Sequence, residues 1–303
     1  LPAVPVHLEA FASAEDLIQE KLTLLTMVQT GGGIILNGDD ERIMAAREKL
    51  NGNFKRLHLR VLTYGFKDGN NLQLNNERLY YENNRPVGLT FKVNYQGHMV
   101  PFRLTGLIGR HQLYAPAAAL AVGAALNLNL VTMAEALIAY QPPPGRLRLL
   151  RGLKDSIILD DTYNASPAAV TEALKTLKEI TTTGKKIAVL GEMLELGEKT
   201  IDAHRQIGRE AALAADLIIT VGVRAKFIAE AAEQKGIHPD NLKHFAEARA
   251  AGQALEHLLA PGDLILVKGS QAVRLERVVE EIMAEPERNG ELLCRQEPEW
   301  QER

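Results

Sequence analysis

Four short apolar runs in the second half of the chain each end in residues that can bind or react. SIIL runs into Asp160 and Asp161, KIAVL into Gly191 and Glu192, DLIITV into Gly222, and DLILV into Lys268, Gly269 and Ser270. In open parallel α/β sheets, ligands bind outside the carboxyl ends of the strands. Four such endings on one edge therefore define a candidate site. Its chemistry is mixed: carboxylates can hold ribose hydroxyls or a metal, and KGS at a helix start suits an anion. Taken alone, KGS is equally a plain turn with a helix N-cap. The stretch IILDDTYNASPAAV adds a polar turn, Thr162 to Ser166, before Pro167 opens a helix. Within it Asp160 is also readable as a structural acceptor for loop amides.

Two residues near the N-terminus carry a second signal. Lys21 falls four residues after Leu17 and three before Leu24, on the apolar face of a helix. It either snorkels, keeping its ammonium in water, or is a chemically modified or metal-associated lysine, since an unpaired buried ammonium is costly. His7, in VHLEAF, is a metal ligand or merely a polar strand end.

The elements that must position these residues follow from periodicity. Ala14 to Gln29 has helical spacing, with Leu17, Leu24 and Val28 on one face and Ile18, Leu22 and Leu25 beside it. GGGIILNGDD reads as a glycine turn, a buried strand and a polar exit. Leu57 to Leu104 alternates apolar and polar residues between turn signals (DGNN, ENNRP), the pattern of several antiparallel strands on one edge of a domain. LYAPAAALAVGAALNL and TMAEALIAY are Ala-rich helices. Pro142, Pro143, Pro144 and Gly145 then break the pattern and mark a domain boundary, 1–144 against 145–303. Beyond it the four apolar runs alternate with helical stretches starting near Pro167, Ile201, Val223, Ala246 and Ala272. That alternation predicts βαβ units and a Rossmann-like, mostly parallel α/β sheet. ELLC suggests a final edge strand, and RQEPEWQER a polar tail.

Composition excludes several classes of function. A formal net charge of −3 over 303 residues suggests no polybasic surface for nucleic acid or a membrane. No apolar run reaches membrane-spanning length. The single cysteine, Cys294, rules out an internal disulfide and suits a reducing cytoplasm. The first residues, LPAVPVHLEAF, have no initiator Met and no signal-like pattern, so the chain reads as starting in mid-domain, a truncated piece.

VHLEAFAS followed by EK, then LNGDD, GRH, PGR, LDDTYNASP, LGEMLELG with His204 after it, and LVKGS resemble the Mur ligases, among them the MurF type. The resemblance covers nearly the whole chain and is weakest within Leu57 to Leu104. It implies the α/β remainder of a central ATPase domain followed by a Mur ligase C-terminal domain. It further implies ATP-dependent amide ligation in peptidoglycan precursor synthesis. The carboxylate of UDP-N-acetylmuramoyl-tripeptide would be phosphorylated, and the amine of D-alanyl-D-alanine would attack the acyl phosphate, with Mg²⁺ neutralising the phosphoryl group. By resemblance, Lys21 matches a carbamylated, metal-holding lysine and His7 a metal-binding histidine. Arg146, Asp161 and Asn164 match nucleotide-facing positions. Lys268, Ser270 and His204 match the substrate side.

Two departures qualify that carry-over. After GRH the family usually has asparagines, one of them on the nucleotide; Gln112 and Ala115 stand there instead, and only Gln112 keeps an amide. No G-x-x-x-x-G-K-[ST] phosphate loop occurs in the chain. In the family that loop lies upstream of HLE, with the domain that binds the UDP end, so this chain by itself is expected to be inactive. Competing readings are a tripeptide-forming Mur ligase, a folylpolyglutamate synthase, or a non-catalytic nucleotide-binding fragment. A nicotinamide-binding domain would need G-x-G-x-x-G after a strand, which neither LGEMLELG nor TVGVRAKF supplies. The oligomeric state and the third residue of the tripeptide have no signature in the sequence.

Overall fold

Residues 14–301 are described by the computed structural model and fall into two units, each built on one sheet. The first holds residues up to Tyr80, then Gly88–Thr105 and Arg110–Tyr140. The second holds Tyr81–Val87, Gly106–Gly109 and the chain from Gln141 onward.

The first unit opens with α1 (Ala14–Thr23), which tightens into a 3-10 turn at Leu24–Thr26 instead of continuing to Gln29. Two threonines explain the early end. The hydroxyls of Thr23 and Thr26 donate back to the carbonyls of Gln19 and Thr23, which competes with further helix. Leu24 is consequently 56% exposed, and Ile18, Leu25 and Val28 make the apolar contacts. β1 (Gly33–Asn37), α2 (Glu41–Arg56) and β2 (Arg60–Gly65) form a βαβ unit in which β1 and β2 pair in parallel, from Gly33↔Arg60 to Asn37↔Tyr64. Asp40 caps α2 by accepting the Arg42 N–H. Glu41 in the first turn and Lys55 and Arg56 in the last complement the helix dipole.

β3 (Leu72–Glu82), β4 (Arg85–Tyr95) and β5 (His98–Thr105) complete the sheet in the order β1-β2-β3-β4-β5. Asn83–Asn84 and Gln96–Gly97, all at positive φ, form the two-residue loops that fold β3, β4 and β5 into an antiparallel meander. The alternating stretch from Leu57 is thus only partly antiparallel. β2 lies parallel to both neighbours, meeting β3 at Tyr64↔Leu72 and Gly65↔Gln73. α3 (Tyr114–Ala125) and α4 (Leu130–Leu137) follow, α3 packing on β1 and β2.

The second unit is a six-stranded sheet in the order β10-β9-β8-β11-β7-β6. Its elements are β6 (Arg148–Arg151), β7 (Ile157–Asp161), α5 (Pro167–Glu179), β8 (Lys186–Gly191), α6 (Thr200–Ala211), β9 (Leu217–Val221), α7 (Lys226–Gln234), β10 (Leu242–Phe245), α8 (Ala248–Leu258), β11 (Leu264–Lys268), α9 (Glu276–Ile282), α10 (Asn289–Leu292) and α11 (Pro298–Gln301). All strand pairs are parallel except β6 with β7. Ile158, Val189, Ile219 and Val267 pack with α8 and α9 residues such as Leu255 and Val279. Leu159, Ala188, Ile218 and Leu266, of opposite parity, are also fully buried. Both faces are covered, which is why these strands read as continuous apolar runs.

One expectation fails here and another holds only in part. ELLC is not a strand: Asn289–Leu292 is helical, and Leu293 N–H closes back on the Asn289 carbonyl. RQEPEWQER is polar surface only in part: Arg295 is 6% exposed, whereas Glu297, Pro298 and Glu299 are exposed. Among the described residues no helix is long and apolar enough to cross a membrane.

Candidate active site

β7, β11 and β8 are adjacent, so their carboxyl ends deliver Asp161, Lys268 and Gly191 side by side. Register makes the first contact. Lys268 is the cross-strand partner of Asp161, and its Nζ lies 2.7 Å from Asp161 Oδ2. The same ammonium donates to the Asn164 carbonyl at 2.9 Å, while Asp161 Oδ1 accepts the Leu147 N–H at 3.1 Å. Both side chains are buried. The pair therefore ties the polar turn after β7 to the end of β11.

Asp160 sits one residue back and is fully buried. It accepts the Gly145 N–H at 3.0 Å on Oδ2, and the Thr162 N–H and hydroxyl at 3.3 and 2.6 Å on Oδ1. Burial pushes its carboxyl up from 3.8 to about 6, against the pull of those donors and helped by the charge of Asp161. Asp160 is thus the loop-amide acceptor that its position suggested. Gly145 is required at its place: its φ is +71°, and a Cβ would stand 2.8 Å from Tyr163 N and 2.9 Å from Cys294 Sγ. Cys294 lies 3.4 Å from the Thr162 hydroxyl, and burial first of all lifts its thiol to about 11.

The turn presents its side chains outward at Tyr163, which is 42% exposed and carries the Arg146 guanidinium 4.0 Å over its ring. Tyr163 N–H donates to the Gly145 carbonyl, so the peptide before Arg146 also anchors the ring that Arg146 covers. Ser166 caps α5 by accepting the Ala169 N–H, and Pro167 occupies the first turn.

Ser270 joins the neighbouring loop. Its hydroxyl accepts the Leu194 N–H at 2.9 Å and faces the Ala165 carbonyl at 3.5 Å, while its own N–H donates to the Glu192 carbonyl. Glu192 accepts the Arg224 N–H at 3.0 Å and pairs with its guanidinium at 3.5 Å. Gly222 sits against that carboxylate at φ +97°, where a Cβ would come within 2.6 Å of Oε1.

His204 departs from its expected substrate-side role. The ring is fully buried, Nε2 accepts the Met193 N–H at 3.0 Å, and Nδ1 faces the Thr200 carbonyl at 2.7 Å. One acceptor and one donor require the neutral Nδ1–H tautomer, and burial depresses its pKa in agreement. Both nitrogens are spent on backbone, so His204 shapes the loop after β8.

In the first unit, Lys21 is half-buried in the last turn of α1. Gln112 is half-buried in the 3-10 turn Arg110–Leu113, and Ala115 is exposed at the start of α3. That segment is anchored by Tyr114, whose hydroxyl donates to Asp39 at 2.8 Å. Asp39 also accepts from Phe66 N–H, Lys67 N–H and Asn70 Nδ2 at 2.6, 2.9 and 3.0 Å. Burial alone would raise its pKa, but the two amides, the hydroxyl and the carboxamide together hold it below 3.8. His7 lies outside the described residues.

Sequence reasoning passed over Tyr163 and Arg295. Tyr163 was visible as part of the polar turn. Arg295 had no signal, being a lone charge 132 residues or more from the Tyr163 and Thr162 carbonyls that it meets.

Residues 4–123 match the Mur ligase middle domain, and residues 145–271 match the Mur ligase, glutamate ligase domain. The chain is 28% identical over 283 residues to a UDP-N-acetylmuramoyl-tripeptide–D-alanyl-D-alanine ligase of Bacillus subtilis, an alignment covering 92% of this chain and 57% of that one. The Escherichia coli protein of the same name is 34% identical over 180 residues, 58% of this chain and 38% of its own. The chain thus spans little more than half the length of such relatives. Among solved structures, a MurF ligase from Thermotoga maritima in complex with ADP is similar with a TM-score of 0.74 and 26% identity, over 94% of this chain and 60% of that one.

Proposed function

Because the chain belongs to the Mur ligase family, we propose that it serves an ATP-dependent amide ligase of peptidoglycan precursor synthesis in the cytoplasm. The reaction would join D-alanyl-D-alanine to UDP-N-acetylmuramoyl-tripeptide through an acyl phosphate. The observation that carries this reading is the carboxyl edge of β7, β11 and β8. There the buried Asp161–Lys268 pair, the Ser270 hydroxyl and the Asp160 carboxylate lock one turn, and that turn offers the exposed Tyr163–Arg146 stack. A flat ring capped by a cation suits a planar heteroaromatic such as adenine. The similarity to an ADP-bound protein supports the same assignment.

In this proposal residues 1–144 serve the ATPase step and residues 145–303 receive the incoming amine. Arg146 and Asn164 lie along the nucleotide, with Asp161 holding their turn through Lys268. Lys268 and Ser270 act by holding the loop, since their polar atoms already contact backbone and Asp161. The proposal extends to magnesium held by His7 and by Lys21 as a carbamate, an anionic oxygen donor. Among the described residues no three His, Cys, Asp or Glu side chains are placed to hold a metal ion. An ion there would take most of its shell from phosphate and water oxygens, as magnesium usually does.

The test is phosphate release by the full-length gene product with ATP and the muramyl tripeptide. Release should require D-alanyl-D-alanine. Release driven instead by diaminopimelate or glutamate would move the protein to another ligase of the superfamily. A protein that binds no nucleotide would lose the reading altogether.

A further inference from the structure

The C-terminal segment buries a cluster that the proposed chemistry does not use. Glu276, only 1% exposed, accepts from two guanidiniums: Arg274 Nε on Oε1 and Arg295 Nη2 on Oε2, both at 2.5 Å. One carboxylate shared by two cations leaves a surplus positive charge away from water. Backbone carbonyls take up three further donor contacts. Arg274 Nη1 reaches the Trp300 carbonyl at 2.5 Å. Arg295 Nη2 and Nη1 reach the carbonyls of Thr162 and Tyr163 at 2.6 and 2.9 Å.

We infer that Arg295 is a positioning residue for the turn that bears Tyr163 and Asn164, so that residues Asn289–Gln296 clasp that turn in its binding conformation. Three features carry the inference. The planar fork of a guanidinium fits two successive carbonyls and fixes their direction, which a lysine cannot do. Holding the Thr162 and Tyr163 carbonyls inward helps fix the outward course of Tyr163, the ring that Arg146 covers. Arg295 Nε, moreover, is buried without a partner among the described residues. The bonds to Glu276, Thr162 and Tyr163 must offset that cost.

The inference rests on the nucleotide reading only for what the turn binds; its effect on the turn is independent of that reading. Amide hydrogen exchange of the ligand-free, full-length gene product tests the clasp. In Arg295→Met the Tyr163 amide, which donates to the Gly145 carbonyl, should exchange at least about tenfold faster, the loss expected when one charge-assisted hydrogen bond goes. Arg295→Lys should recover part of that protection. The double variant Glu276→Gln/Arg295→Met keeps a carboxamide oxygen for Arg274 Nε and gives a second background should the single variant fail to fold; Tyr163 should still be deprotected. ADP affinity, read by titration calorimetry, should fall about tenfold in both Met variants. Unchanged Tyr163 exchange in the folded double variant overturns the clasp. If Asp161→Ala also leaves ADP affinity untouched, the nucleotide reading fails, and the exchange arm still decides the clasp.

Discussion

Asp39 and Asp160 do similar work in the two units and meet opposite electrostatic ends. Each stands at or just beyond the carboxyl end of a parallel strand and gathers loop donors. Asp39 is half-buried and has four of them, two being backbone amides, and its pKa drops below 3.8 although burial opposes this. Asp160 is fully buried, has three donors and a second carboxylate as neighbour, and rises to about 6. Position at a strand end therefore does not decide the state of a carboxylate. The balance of donors against lost hydration and like charge decides it.

The largest expected effect separates the two directly. Asp160→Ala strands the Gly145 N–H and the Thr162 donors in a dry site, at roughly 1–3 kcal/mol for each unsatisfied group. Asp39→Ala leaves amides nearer to water and should cost clearly less, about 1–2 kcal/mol. Urea unfolding of both variants gives the order, and a reversed order would break the comparison.

Acid titration sharpens it next. The folded pKa of Asp160 is raised, so its contribution is complete below 3.8 and is lost as pH rises through about 6. The folded pKa of Asp39 is lowered, so its contribution is complete above 3.8 and is lost as pH falls through the folded value. Asp160→Asn should accordingly flatten the decline in unfolding free energy between about pH 4 and 6, where one proton changes it by at most about 1.4 kcal/mol for each pH unit. Asp39→Asn should leave that window alone and change the profile below about pH 4.

A glycine pair gives a smaller contrast. Gly145 and Gly97 both have positive φ, +71° and +80°, but a Cβ meets Tyr163 N at Gly145 and nothing within 4 Å at Gly97. Gly145→Ala should cost about 2–3 kcal/mol and Gly97→Ala about 1, the backbone strain alone. Smallest of all, Tyr114→Phe removes one donor from Asp39 and should cost about 1 kcal/mol, read in the same urea series.

The strands that carry the site were legible because burial on both faces makes them continuous apolar runs, as in KIAVL and DLILV. β6 and β10 were not: RLLR and LKHF are short, charged edge strands, and their pairing is supplied by neighbours. α2 was hidden by Asn51, Gly52 and Asn53, which look like a turn but sit inside the helix. The residues at the strand ends could be picked from their types. That Asp161 would face Lys268 could not, because the contact depends on β11 inserting between β8 and β7, and no local period encodes strand order.

Cys294, the one cysteine of the chain, is a built-in clock for the C-terminal segment. Its sulfur is buried beside Thr162, next in sequence to Arg295, and its thiol stays protonated at neutral pH. An alkylating reagent needs an exposed thiolate, so modification must wait until this stretch lifts away. The labelling rate then counts how often the segment lets go, from a single natural site and without any probe being introduced.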